Sequence, residues 1–409
     1  MIKSLFSSNE ILSTKYDQVL DNASTDFSTK KLSCEYFPSC SGCVFQSEDL
    51  CPPLWQNIKN YFTLKDPALK VPFFEMPPCG TRSRAKLAVR GTPDQPHIGL
   101  FKKGSHDVVD ITACPLHTPP IDEALFVVRE KMRRFHIHPY DEKGHRGLLR
   151  YLQLAVENQS QSVQLSLVVN SQDVDPPLRH FVEDLDKSFS WHSTWINFQK
   201  EKTNRIFGDQ WLHFSGSPFF WQVLAGSKVA FHPACFSQVH LSLFEKMLFS
   251  IRQQILPNKK AIEFYAGVGA IGLAICEKVE HLIMNEINPF AKKCFEASKA
   301  QLSSEMQSRV FFEVGPAEQF ISHLENASVA IVDPPRKGLD PLLLKAFCEP
   351  NHLEQLIYIS CDFRSFCRDS DALLDAGWRI AKAEGYLFFP GTDHVEICCF
   401  FVRIREMAF

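Results

Sequence analysis

The pattern of apolar and polar positions changes character a little beyond the middle of the chain. After residue 235, short apolar runs alternate with stretches of helical period. The runs at 261–265, 282–286, 310–314, 328–332 and 356–360 are too short for helices and contain β-branched residues, so they read as strands. Helices are predicted at 237–254, from the glycines at 267–272 to about residue 278, and at 289–301. A final strand covers 397–402. Strands alternating with helices predict an α/β domain with a parallel, doubly wound sheet.

Residues 80–230 follow a different rule. Arg84-Ala85-Lys86-Leu87-Ala88-Val89-Arg90 alternates in part, as a half-exposed strand does. Residues 153–156 and 162–169 read as two strands joined by a polar turn. Residues 122–135 read as a helix with a basic end at Arg129, Lys131, Arg133 and Arg134. The aromatic positions Trp191, Trp195, Phe198, Trp211, Phe219, Phe220 and Trp221 read mostly as core. Residues 1–33 are polar and carry no strong period. The expected division is 1–33 as a variable extension, 34–232 as a cysteine-bearing segment with a β-rich central domain, and 233–409 as an α/β domain.

Composition narrows the class. The chain has 409 residues, 45% of them hydrophobic and 22% charged, an ordinary soluble balance. It holds no apolar run of about 18 residues, so no transmembrane helix is expected. The start Met1-Ile2-Lys3-Ser4-Leu5-Phe6-Ser7-Ser8 lacks a long apolar core, so no secretory signal is expected and the predicted location is cytoplasmic. Fourteen cysteines are too dilute for a disulfide scaffold, and a reducing compartment leaves them free or metal-bound. The net charge of −3 is segregated: residues 82–150 carry 13 Lys/Arg against 8 Asp/Glu, a balance of +5, while residues 1–81 carry −2. A basic middle segment in an acidic protein suits contact with a polyanion, although a solvated face explains the charge as well.

Two groups of residues carry chemistry. The first is Cys34-Glu35-Tyr36-Phe37-Pro38-Ser39-Cys40-Ser41-Gly42-Cys43, with the spacing C-x5-C-x2-C. Closely spaced intracellular cysteines point to an iron–sulfur cluster or zinc. Cys51, Cys79 and Cys114 are candidates for a fourth ligand, and Cys114 is followed by Pro115 as cluster-closing cysteines often are. The second group gathers at strand ends. Gly267-x-Gly269-x-x-Gly272 follows a strand and opens a helix, and Glu286 lies 19 positions past Gly267 at the end of the next strand. A carboxylate there accepts hydrogen bonds from both ribose hydroxyls of an adenosine cofactor, which NAD and S-adenosylmethionine satisfy equally. The fourth strand ends Asp333-Pro334-Pro335-Arg336, and the fifth ends Ser360-Cys361. His394 and Glu396 stand at the start of the last strand. In open α/β sheets ligands bind beyond the carboxyl ends of the strands.

A cysteine, a carboxylate base and an adenosine site suit one reaction. The C5 of uracil is a poor nucleophile until a thiolate adds to C6, after which C5 accepts a methyl group and a base removes its proton. Such a thiol is expected to have a pKa below the free value of about 8.5.

The chain resembles RNA (uracil-5-)-methyltransferases that carry an iron–sulfur cluster. The resemblance runs from Cys34 to the C-terminus and rests on Cys34, Cys40, Cys43 and Cys114; Arg84-Ala85-Lys86; Phe236-Ser237-Gln238; the glycine loop; Asp333-Pro334-Pro335-Arg336; Ser360-Cys361; and His394-Val395-Glu396. It implies a C-terminal Rossmann-like methyltransferase domain using S-adenosyl-L-methionine, a central RNA-binding domain and a [4Fe–4S] cluster on the four cysteines. It implies Cys361 as nucleophile, Glu396 as the proton-abstracting base, and Gln238, Tyr265, Gly267, Glu286 and Asp333 as the cofactor and uracil pocket. The 33 residues before Cys34 leave no room for the OB-like TRAM module, which resembles the shorter branch that methylates a uridine of 23S rRNA. Residues 84–100 and 146–152 also look like that branch. The expected protein is a monomeric 23S rRNA methyltransferase, with the tRNA T-loop uridine as the competing substrate. A non-catalytic RNA-binding or folding protein on the same scaffold is the alternative of a different class. A nicotinamide oxidoreductase is weaker, because it leaves Asp-Pro-Pro-Arg and Ser-Cys unexplained.

Five positions depart from the family pattern. Asp362-Phe363 stands for Asn-Pro, His240 for Asn, Ala266 for Cys and Asp393 for Gly. Asp362 and Asp393 are expected to raise the Cys361 pKa unless Arg336 or Arg364 compensates.

Overall fold

The computed structural model describes residues 32–46, 51–349 and 352–403. Nearly all of the extension predicted at 1–33 lies outside the described residues. Among those described, no helix is long and apolar enough to cross a membrane.

The described chain begins with α1 (Pro53–Lys65) and a two-residue strand, β1 (Phe73–Phe74). The central region follows as β2 (Arg84–Gly91), β3 (Pro96–Phe101), β4 (Val108–Asp110), α2 (Pro119–Arg134), β5 (Leu149–Val156), β6 (Val163–Val169), α3 (Pro176–Asp186), β7 (Trp191–Phe198) and β8 (Gln210–Gly216). Its strands form one sheet in the order β4-β3-β2-β5-β6-β7-β8, antiparallel except for β6 with β7. The two-residue period puts Leu87 and Val89 on one face, where α2 and α3 pack their apolar stripes (Leu125 and Val128; Phe181 and Leu185) against Leu152, Leu154, Leu165 and Leu167. The same period sends Arg84 and Lys86 of β2 to the other face.

The remainder is a hairpin, β9 (Phe220–Leu224) and β10 (Ser227–Phe231), and then an α/β domain. Its elements are α4 (Leu241–Gln254), β11 (Lys260–Phe264), α5 (Ala270–Ile275), β12 (His281–Glu286), α6 (Pro289–Lys299), α7 (Ser304–Gln307), β13 (Val310–Val314), a 3-10 helix (Ala317–Asn326), β14 (Val329–Val332), α8 (Pro341–Cys348), β15 (Gln355–Ser360), α9 (Phe363–Asp375), β16 (Arg379–Tyr386) and β17 (Glu396–Val402). The sheet order is β1-β16-β17-β15-β14-β11-β12-β13. Helices cover both faces. Leu243, Met247, Leu273 and Phe295 pack on one side, and Phe62, Phe347, Phe366 and Leu373 on the other.

One expectation is corrected. The sheet is mixed, because β17 runs antiparallel to both β15 and β16. The loop at 387–395 holds no crossover helix, so the chain can only turn back beside its predecessor. Trp55, Ile58 and Phe62 of α1 lie in the core of the α/β domain, β1 pairs with β16, and the hairpin β9–β10 packs there too.

Candidate active site

Strand register places the chemistry-bearing residues in one row. On β11 and β12, Phe264 pairs with Asn285, so the next residues, Tyr265 and Glu286, emerge side by side. Phe264 also pairs with Val332 of β14, which brings Asp333 to the same level. Ser360 of β15 pairs with Ile397 of β17, so Cys361 and Glu396 leave the sheet together. The successive strands β11–β13 run to one side of β11, and β14 and β15 to the other. The row therefore spans the point where strand order reverses, the usual place for a ligand crevice.

Local chemistry fixes each member. Tyr265 adopts a left-handed φ of 60°, strained for a residue with a side chain. Its hydroxyl accepts the Asp340 backbone N–H at 3.2 Å. Glu286 is held by two backbone amides, Gly267 N at 3.0 Å and Asn288 N at 2.9 Å. Gly267 has a φ of 55°, and a Cβ there would meet nothing within 4 Å, so the turn stands open beside Glu286. Gly272 serves packing instead: a Cβ there would lie 2.5 Å from both Glu263 Oε2 and Met284 Sδ. Gln238 is buried, and among the described residues its Oε1 has no hydrogen-bond partner.

The acids are kept protonated more readily than in water. Burial, then the Glu286 charge, pushes Asp333 up to about 7. Burial and Asp333 hold Glu396 well above the usual carboxylate range, partly offset by Arg336. Cys361 departs from the expected low pKa. Burial first, then Glu396 and Asp333, push it up to about 11, with Arg336 pulling the other way. The expected causes, Asp362 and Asp393, act elsewhere. Asp362 caps α9, its Oδ1 accepting Ser365 N at 2.9 Å. Asp393 accepts Leu54 N at 2.8 Å in the first turn of α1, a cap supplied from 339 residues away. Phe363 packs edge-on to Tyr61 of α1, with ring centroids 5.8 Å apart. His240 caps α4, its Nδ1 accepting Leu243 N at 3.4 Å, and burial draws its pKa down to about 4. His394 is exposed, and partial burial followed by Arg336 lowers its pKa.

Some contributors carry no motif that sequence reasoning uses. Asp369 on α9 is fully buried and accepts Leu339 N and the Tyr358 hydroxyl, both at 2.8 Å. It pairs with Arg368, which also donates to Lys337 O at 3.0 Å. Together they pin the loop that follows Asp333. A charged Arg-Asp step on a helix that buries its apolar face was the available signal.

The four predicted cysteines meet away from this row. Cys34, Cys40, Cys43 and Cys114 line one cavity with Arg82, Tyr36 and His117. Cys79 is exposed and Cys51 packs toward the α/β core, so Cys114 completes the group. Burial raises the Cys40 and Cys114 thiols, and pushes Cys43 up to about 11 with help from Cys114, Cys40 and Cys34. Among the described residues, no group of three or more His, Cys, Asp or Glu side chains is placed to hold a metal ion.

Residues 226–404 match the tRNA (Uracil-5-)-methyltransferase family. An uncharacterized RNA methyltransferase of Protochlamydia amoebophila is 40% identical over 385 residues, covering 92% of this chain and 99% of that protein. The chain belongs to the RNA uracil-5-methyltransferase family. A second such relative, an uncharacterized RNA methyltransferase of Nostoc sp., is 27% identical over 387 residues, covering 90% of this chain and 82% of that one. The fold is that of Pyrococcus abyssi tRNA (uracil-54, C5)-methyltransferase, solved in complex with S-adenosyl-L-homocysteine: the TM-score is 0.68 at 23% identity, covering 84% of this chain and 81% of that one. Within this methyltransferase family, the departures at Asp362, Phe363 and Asp393 are accounted for by caps and by α1 packing, not by the reacting groups.

Proposed function

We propose that the protein transfers a methyl group from S-adenosyl-L-methionine to C5 of a uridine in RNA, through a covalent bond between Cys361 and C6. The observation that carries this reading is the single row of Glu286, Tyr265, Asp333, Cys361 and Glu396 at the strand ends. The cofactor's place fits the residues present. Glu286 is fixed for ribose hydroxyls, the turn at Gly267 is open, and Gln238 offers an acceptor without a partner. The bound cofactor supplies an electrophilic methyl group.

The chain's own residues do the rest. Cys361 gives its proton to solvent and its thiolate adds to C6, moving the C5–C6 π electrons toward O4. C5 takes the methyl group, and the pair of the broken S–C bond stays on the donor sulfur. Glu396, as a carboxylate, removes the C5 proton; the C–H electron pair restores the C5=C6 double bond and expels the Cys361 thiolate. Burial disfavours the charged form of both groups, and Arg336 is the cation that favours it. The loop from Asp333 to Asp340 is pinned by Asp369 and Tyr265.

We assign the cysteine cavity to a [4Fe–4S] cluster held by Cys34, Cys40, Cys43 and Cys114. Four thiols are the donor set that selects soft metals. All four line one cavity, and the family resemblance implies an iron–sulfur cluster there. The proposed substrate is 23S rRNA, supported by residues 84–100 and 146–152; a tRNA T-loop uridine is the competing one.

Mapping 5-methyluridine in rRNA and tRNA from cells with and without the gene tests this. One uridine in 23S rRNA should lose its methyl group. Loss confined to tRNA would replace the substrate, and no loss in either RNA would overturn the reaction.

A further inference from the structure

Arg84 is a buried cation whose surroundings hold no carboxylate among the described groups that act on it. Burial draws its pKa only to about 10, so it remains charged at neutral pH. Such a charge is costly unless every donor is used. Here they are. Nε and Nη2 donate to Gln153 Oε1 at 3.2 and 2.8 Å. Nη2 also donates to Pro233 O at 2.9 Å. Nη1 donates to Cys235 O and to Ser237 Oγ, both at 2.8 Å. Its neighbour Ser83 donates from both N and Oγ to Val239 O at 2.9 Å. Gln153 Nε2 adds a second hold on Pro233 O at 3.0 Å. On the far side, Asn288 Nδ2 donates to Ala234 O at 3.1 Å, while its own amide binds Glu286.

Apart from the two bonds to Gln153 Oε1 and the Asn288 amide bond to Glu286, these contacts fall on the segment 233–239, which carries Gln238 with its buried Oε1 unpartnered among the described residues. A fork of five fixed donors is the side chain that holds several acceptors at once in one geometry. We propose that Arg84 is a positioning residue. It reaches across from the central sheet and sets the place of Gln238 in the crevice through Ser237 and the 233–239 backbone.

The inference rests on the methylation reading, and the two fail differently. A wild-type protein that methylates no RNA removes the reading. An active wild type with an unaffected Ser237→Ala removes this inference alone.

The test is a double-mutant cycle with kinetics on RNA, run beside hydrogen exchange. Because 1 Å of misplacement costs up to about 100-fold, Arg84→Lys should lower kcat about tenfold or more, with KM for RNA within about twofold. Ser237→Ala, which removes one acceptor and leaves the fork intact, should lower kcat about threefold and speed amide exchange only across 234–240. In a Gln238→Ala background neither change should lower kcat by more than about twofold, since the residue they position is gone. Effects that multiply fully with Gln238→Ala would overturn the proposal, as would wild-type kcat and exchange in Ser237→Ala. If Arg84→Lys does not fold, the Ser237→Ala and Gln238→Ala cycle decides.

Discussion

The molecule buries thiols in two settings that differ in everything but burial. Cys361 and Cys43 are both pushed up to about 11, chiefly by desolvation. Cys361 stands at the end of a central strand, and the charges around it are Glu396, Asp333 and Arg336. Cys43 sits on a loop, and its neighbours are three further thiols with Arg82 beside them. On the proposed reading the same burial serves two uses: attack by a lone thiol among acids and one cation, and coordination by thiols gathered among thiols.

The largest test of this contrast is substitution at the strand end. Cys361→Ala should lower methyl transfer by at least about 10³-fold, read as incorporation of labelled methyl into RNA. If Cys43→Ala were as severe in protein of normal fold, the division of labour would be broken. Glu396→Gln should lower turnover about 100-fold or more while still bonding to RNA, because the C5 proton has no acceptor. The expected readout is a persistent adduct on ordinary RNA, and its absence would remove Glu396 as the base. In the cavity, serine at Cys34, Cys40, Cys43 or Cys114 should abolish iron in anaerobically purified protein, whereas serine at Cys51 or Cys79 should leave it. Stoichiometric zinc in the wild type would contradict the cluster.

A smaller effect follows from pH. The folded-state pKa of Glu396 is raised, so its contribution to stability is full below the unfolded value of about 4.3 and is lost as pH rises through the raised one. Glu396→Gln should therefore unfold at higher denaturant than wild type at pH 8, by about 1 kcal/mol or more, and show no gain near pH 4. Equal stability at pH 8 would mean that the crevice does not penalise the charge. The smallest effect is expected at Asp393→Gly, which removes the distant cap on α1: a loss of about 1 kcal/mol or less with kcat unchanged.

The strand ends that carry this account were legible because buried strands of a doubly wound sheet are short, apolar and bounded by polar residues. β13 falls at 310–314 as read, and β11, β12, β14 and β15 fall within one residue of their predicted limits. β16 was missed because Lys382 and Glu384 interrupt its apolar run. They are tolerated because they pair at 2.8 Å, and Ser250 and Tyr386 satisfy the rest of the carboxylate. The allegiance of α1 was invisible because what fixes it, Asp393 and Phe363, lies some 300 residues away. In the site, residue identities were legible but environments were not. The Cys361 pKa is set by burial and by Glu396 and Asp333, neighbours across the sheet, whereas sequence adjacency pointed to Asp362. Arg84 shows the same limit: its motif was recognisable, and its five bonds were not.

The central claim is the covalent bond from Cys361 to uridine. The direct measurement is mass spectrometry of the protein after incubation with S-adenosyl-L-methionine and a 23S rRNA fragment containing 5-fluorouridine, whose C5 substituent Glu396 cannot remove. The account predicts a persistent nucleotide adduct on the peptide carrying Cys361, absent in Cys361→Ala. An adduct at another residue, or none from protein that methylates the unmodified fragment, would contradict it.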